Sequence, residues 1–164
     1  MGYYVNIIGA DATLPAEKLD EAYARLVELN DHDEWKSGGT TTERWFAWLD
    51  RDYPTKFSTA QQILEEVGFE IETNEDGLGN ISIMGYDGKT GCEDIMLWAI
   101  ADLFEAGSEI EWRGEENETW LQRFGGGKKM TQVGGVVTYP EDKAVEYMPF
   151  DYGKMRAHFE ALAK

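Results

Sequence analysis

The chain has 164 residues, 42% of them apolar and 13% aromatic, with 32 acidic against 15 basic side chains for a net charge of −17. That length and apolar content suit one domain, residues 1–164, with a real core, and exclude a disordered acidic chain. The charge argues against direct DNA or RNA binding, which needs lysine and arginine to displace counterions from phosphates.

Cys92, the one cysteine, can form no intrachain disulfide, which fits a reducing cytoplasm. The start, MGYYVNIIGADATLPAEKL, lacks the basic segment of a signal peptide, and Asn6 stands where a myristoylation site needs Ser or Thr. No stretch reaches membrane-spanning length, so a cytoplasmic protein with no membrane contact is expected.

In chain order, Tyr3 to Ile8 is a β-favouring run ending at Gly9, a first strand. Leu19, Ala22, Tyr23, Leu26 and Leu29 repeat at helical spacing up to Asn30. After a polar loop, Thr40 and Glu43 form a capping-box pattern that predicts a short aromatic helix over Trp45 to Leu49, closed by Pro54. Ser58 and Gln61 make a second box, opening a helix whose stripe is Ala60, Ile63, Leu64 and Val67 and whose stop is Gly68. Phe69 to Thr73 and Asn80 to Met84 alternate around a polar turn, a hairpin signal.

The run Glu93 to Ala106 starts acidic and is apolar on nearly every face, so it predicts a central buried helix. Strands are expected at Glu109 to Trp112, Thr119 to Phe124 and Met130 to Tyr139, and a C-terminal helix from Asp151 with the stripe Tyr152, Met155, Phe159 and Leu162. The expected class is α+β, one antiparallel sheet with helices packed on one face. Leu64 to Glu72 and Leu103 to Glu111 echo each other at an offset of 39 residues, each a helix end, a glycine and then Glu-Ile-Glu, which suggests two helix-strand-strand units.

Sixteen of the acids but only Lys89 and Arg113 among the bases fall between residues 65 and 118. The two-residue strand period points Ile71, Ile110 and Trp112 inward and Glu70, Glu72, Glu109 and Glu111 outward. Each pair continues into an acidic turn, Glu75 and Asp76 in one case, Glu115, Glu116 and Glu118 in the other. These nine residues are the candidate partner-binding set.

Other constellations are weaker. Asp31-His32-Asp33-Glu34 holds metal-capable groups on adjacent loop positions that do not converge, so no metal is expected. Cys92, just ahead of a helix N-terminus, could have a lowered pKa, but it has no evident base and a capping or packing role fits better. His158 reads as a surface residue. Glu72 to Ile83 lacks the closing glutamate of a calcium loop, and Phe124-Gly-Gly-Gly-Lys-Lys129 lacks Walker spacing and reads as a flexible turn. No catalytic residue, metal or cofactor emerges.

The opening Met1-Gly-Tyr-Tyr and the segment Glu109-Ile-Glu-Trp-Arg-Gly-Glu-Glu116 before Trp120 resemble a loose group of small proteins from bacteriophages and some bacteria. These begin MGY and carry a W-x-G-E-E strand before another tryptophan. The resemblance brings no site residues; it implies a phage or mobile-element origin and hence a host protein as target.

Two functions fit. In one, the carboxylate face of a small inhibitor occupies a basic surface on a host defence or nucleic-acid-processing protein; Glu109 and Glu111, about 6.6 Å apart along a strand, would imitate phosphates. In the other, tryptophans line a pocket for a small ligand and the acidity serves only solubility.

Overall fold

A computed structural model describes residues 3–134 and 145–146. The first strand, β1 (Tyr4–Asp11), runs on through Ala12 into β2 (Thr13–Leu14). Helix α1 (Leu19–Glu28) follows, then a small hairpin of β3 (Gly38–Gly39) and β4 (Arg44–Trp45), and the helices α2 (Tyr53–Lys56) and α3 (Ala60–Val67). Next come β5 (Phe69–Thr73), β6 (Ile81–Lys89), helix α4 (Glu93–Ile100), β7 (Ser108–Gly114), β8 (Thr119–Gly125), β9 (Lys128–Gly134) and β10 (Val145–Glu146).

The main sheet is antiparallel throughout and runs β10-β9-β8-β7-β1-β6, with β2 continuing β1 along one edge of β6 and β5 on the other. Strands β6 and β7 flank β1, so α4 carries the chain from one side of the first strand to the other. The α+β class with an antiparallel sheet is as the pattern predicts. Both echoed segments reach an antiparallel pair through a left-handed glycine, Gly68 directly after α3, and Gly107 with three residues between it and the helical turn that ends at Leu103.

One face of the sheet packs on the helices. Val5, Phe69, Ile83, Ile110, Trp112, Phe124 and Met130 meet Leu26, Ile63, Leu64, Met96, Leu97 and Ile100 in a single cluster. Every residue of α4 except Asp94 is buried, which explains its all-round apolar sequence. Arg25 on α1 ties the helices together, its guanidinium reaching the Asp102 carboxylate at 2.7 Å and the Ala99 carbonyl at 3.1 Å.

Several elements differ from expectation. Thr40 to Leu49 is not helical: the Thr40 hydroxyl accepts the Glu43 amide, but within the turn of the β3–β4 hairpin, where Gly39 at φ +125° lets the backbone of Glu43 approach. A Ser/Thr side chain closes a turn with the same local bond that caps a helix, so the pattern alone cannot separate them. Pro54 does not end an element but sits in the first turn of α2, where its missing N–H is harmless. The second capping box is one residue later than read: Thr59 accepts the Gln62 amide, and the Gln62 side chain accepts the Ser58 amide. The buried helix stops at Ile100 and tightens into a 3-10 turn, Ala101 to Leu103. Residues 135–139 of the last expected strand, the C-terminal helix and His158 lie outside the described residues.

Candidate functional site

Strand alternation places the predicted carboxylates on the side of the sheet opposite the helices. Inward along β7 stand Ser108, Ile110 and Trp112, all buried; outward stand Glu109, Glu111 and Arg113. Glu70 and Glu72 point the same way from β5, while Ile71 packs toward the core. Asp11 on β1 pairs directly with Glu109 and joins the group, although only the pairing of β1 with β7, invisible in the sequence, puts it there.

The outward glutamates are not equally solvated. Glu109 is half-buried beside Arg123, with 3.6 Å between its Oε2 and Nε. Glu111 is half-buried and lies across Gly9 of the neighbouring strand, its Oε2 3.8 Å from where a Cβ would stand. Glu70 does the same over Gly85, at 2.7 Å, so both glycines leave room for a carboxylate to fold down on the sheet. All four face outward as expected; Glu70 and Glu72 are exposed, and Glu109 and Glu111 are half-buried.

Between β1 and β8 a cavity of about 180 Å³ opens on this face, lined by Gly9, Ala10, Asp11, Glu109, Glu111 and Leu121. Three carboxylates border it, with an apolar wall at Leu121.

The two acidic turns part company. Glu75 and Asp76 lie in the β5–β6 turn, at the end of the sheet where Asn80 accepts the Ala16 amide. Glu115, Glu116 and Glu118 lie in the β7–β8 turn at the other end, where Glu115 Oε2 accepts the Tyr4 amide at 2.9 Å. The nine residues of β6 separate these ends by roughly 30 Å. Asp76 also shapes its own turn by accepting the Leu78 amide at 3.0 Å. Glu118 is half-buried: its carboxylate folds against Gly114, and Oε2 is buried without a hydrogen-bond partner among the described residues. The predicted set is therefore spread over a long face with acidic ends, with Glu118 half-buried at one of them.

Other candidates resolve structurally. Cys92 is buried and its thiol is pushed up by burial and by the neighbouring Glu93, the opposite of the lowering that a helix N-terminus suggests; its side chain makes no cap bond. Glu93 is itself buried, accepting the Thr90 hydroxyl and, at 2.7 Å, the Gly91 amide, and burial followed by Asp94 raises its pKa. His32 stacks on Trp35 with ring centroids 4.3 Å apart and lies 3.2 Å from Glu34. No group of three metal-capable side chains converges among the described residues.

Triglycine Gly125 to Gly127 is a hairpin tip, but a docked one. The Gly126 and Gly127 amides donate to the carbonyls of Phe104 and Asp102 at 2.8 and 2.9 Å, so these N–H groups are already committed and do not form a phosphate cradle. Beside it Arg123, Lys128 and Lys129 line a cavity of about 300 Å³ with Glu109 on its wall.

Among the described residues no helix is long and apolar enough to cross a membrane. No family model, curated protein or solved structure matches the chain.

Proposed function

We propose that this protein is an interaction module whose sheet face opposite the described helices binds a basic surface on another protein. The observation that carries the reading is the gathering of Asp11, Glu70, Glu72, Glu109 and Glu111 on that one face, with three of them around a cavity sized for a cationic side chain. A face of this sign speeds encounter with a basic partner and makes the complex salt-sensitive. With the resemblance of its two short segments to phage proteins, the reading extends to an inhibitor that covers a nucleic-acid-binding surface of a host defence or nucleic-acid-processing protein.

The aromatic-pocket alternative has less support. Trp98 and Trp112 are fully buried in the core, Trp120 stacks on Trp112, and neither cavity described above has a tryptophan in its wall. The test is affinity capture from host lysate at low and high salt with wild type and with a variant carrying glutamine at 70, 72, 109 and 111. A partner that elutes with salt and is lost in the variant supports the proposal; retention of that partner by the variant rejects it.

A further inference from the structure

Five large apolar side chains stand open among the described residues, and Tyr4, Ile8 and Met84 belong to β1 and β6 at the middle of the sheet. Trp48 is 60% exposed and joins them from outside the sheet. Its backbone holds φ +67°, a left-handed conformation that a bulky side chain adopts only when its surroundings impose it. Two contacts impose it here. The indole Nε1–H donates to the Thr90 carbonyl at 3.3 Å, and Cδ1 lies 2.4 Å from where a Cβ on Gly91 would stand, so only glycine lets the ring lie there.

Lys89 shows what these rings accept. Its ammonium lies 4.7 Å from the Trp48 centroid and 5.7 Å from that of Tyr4, directly across the β1–β6 pair. Carboxylates lie close by, Glu115 on the Tyr4 amide and Asp87 two positions before Lys89 on the same side of β6.

We propose that Trp48 and Tyr4 form an aromatic clamp, held in the free protein by Lys89, that takes an arginine side chain of a basic protein partner. The proposal rests on the reading of the carboxylate face given above and adds the anchoring contact. Arginine fits better than lysine because its planar, weakly hydrated guanidinium stacks on an aromatic face. An exposed tryptophan in a carboxylate rim also has the composition of an energetically dominant interface residue. A nucleic-acid strand would stack on the same rings, but the net charge of −17 opposes it.

The test titrates the protein at low salt with hexa-arginine, hexa-lysine and an oligothymidylate, following heat and the NMR signal of the Trp48 indole N–H. Hexa-arginine should bind roughly threefold to fivefold tighter than hexa-lysine and shift that signal. Trp48→Ala should abolish the preference, and Lys89→Met, which vacates the clamp, should increase it. Equal affinity for the two peptides, or a preference that survives Trp48→Ala, overturns the clamp and leaves the carboxylate reading standing. A preference lost in Trp48→Ala, with undiminished peptide binding by the four-glutamine variant, overturns the carboxylate reading instead. Failure of both peptides to bind overturns both, and an indole shift caused by oligothymidylate alone overturns the clamp in favour of nucleic acid. The wild-type indole shift needs no variant, so a Trp48→Ala chain that failed to fold would not remove the test.

Discussion

The indole N–H of Trp112 donates to Oε1 of Gln122 on the adjacent strand at 2.8 Å, a side-chain pair sealed inside the core with exposures of 1% and 0%. A buried donor without its acceptor loses the full benefit of hydration. Gln122→Leu is therefore expected to destabilise the fold by about 1–3 kcal/mol. Urea denaturation followed by tryptophan fluorescence measures this, and an unchanged midpoint would show that the bond contributes nothing.

Removing charge from the carboxylate face should act differently. Glutamine at 70, 72, 109 and 111 takes away four carboxylates from a chain of net charge −17. Like-charge repulsion falls, while the half-buried, solvent-screened Glu109–Arg123 pair at 3.6 Å is worth at most about 1 kcal/mol. Stability is expected to stay level or rise, most visibly at low salt, as thermal melts at two ionic strengths would show.

Glycines of the β8–β9 turn separate two effects. Gly125 has φ +100°, and a Cβ there would lie 2.0 Å from the Glu105 carbonyl oxygen; Gly127 has φ +79° with open space around it. Gly125→Ala should cost about 2–4 kcal/mol, from backbone strain and a clash with rigid backbone, whereas Gly127→Ala should cost about 1 kcal/mol from strain alone. Comparable losses in the two variants would contradict the docking of this tip on Phe104 and Asp102.

Glu93 gives a pH signature. Its folded-state pKa is raised above the ordinary 4.5, chiefly by burial, so the folded chain holds this proton to a higher pH than the unfolded chain does. The associated stability is full below the ordinary value and declines as pH climbs through the raised one. Relative to Glu93→Gln, wild type should lose stability as pH rises above about 4.5. Parallel stability curves for the two proteins across that range would refute this.

Trp48 should show a conflict between stability and recognition. Trp48→Gly removes a left-handed strain of about 1–2 kcal/mol and gives up only the contacts of a side chain that is 60% exposed. The melting temperature is expected to hold or rise while binding of hexa-arginine weakens. A clear drop in melting temperature would mean that the ring serves the fold.

Local rules made much of this protein legible from its residues. The period of two along Glu109 to Trp112 sorted core from surface correctly, because a half-buried strand leaves that mark wherever it pairs. The apolar run after Glu93 announced its own burial for the same kind of reason. Where a local hydrogen bond serves two geometries, as at Thr40, the residues alone were ambiguous and the chain chose a turn. Strand order is a long-range matter, and only the tertiary structure decided it. Pairing β1 with β7 brought Asp11 beside Glu109 and Gly9 beneath Glu111, and pairing β1 with β6 set Tyr4 against Lys89. It also sent the two acidic turns to opposite ends of the sheet and turned the Glu118 carboxylate in against Gly114, because sequence spacing records which face a side chain takes but not which strand lies next to it.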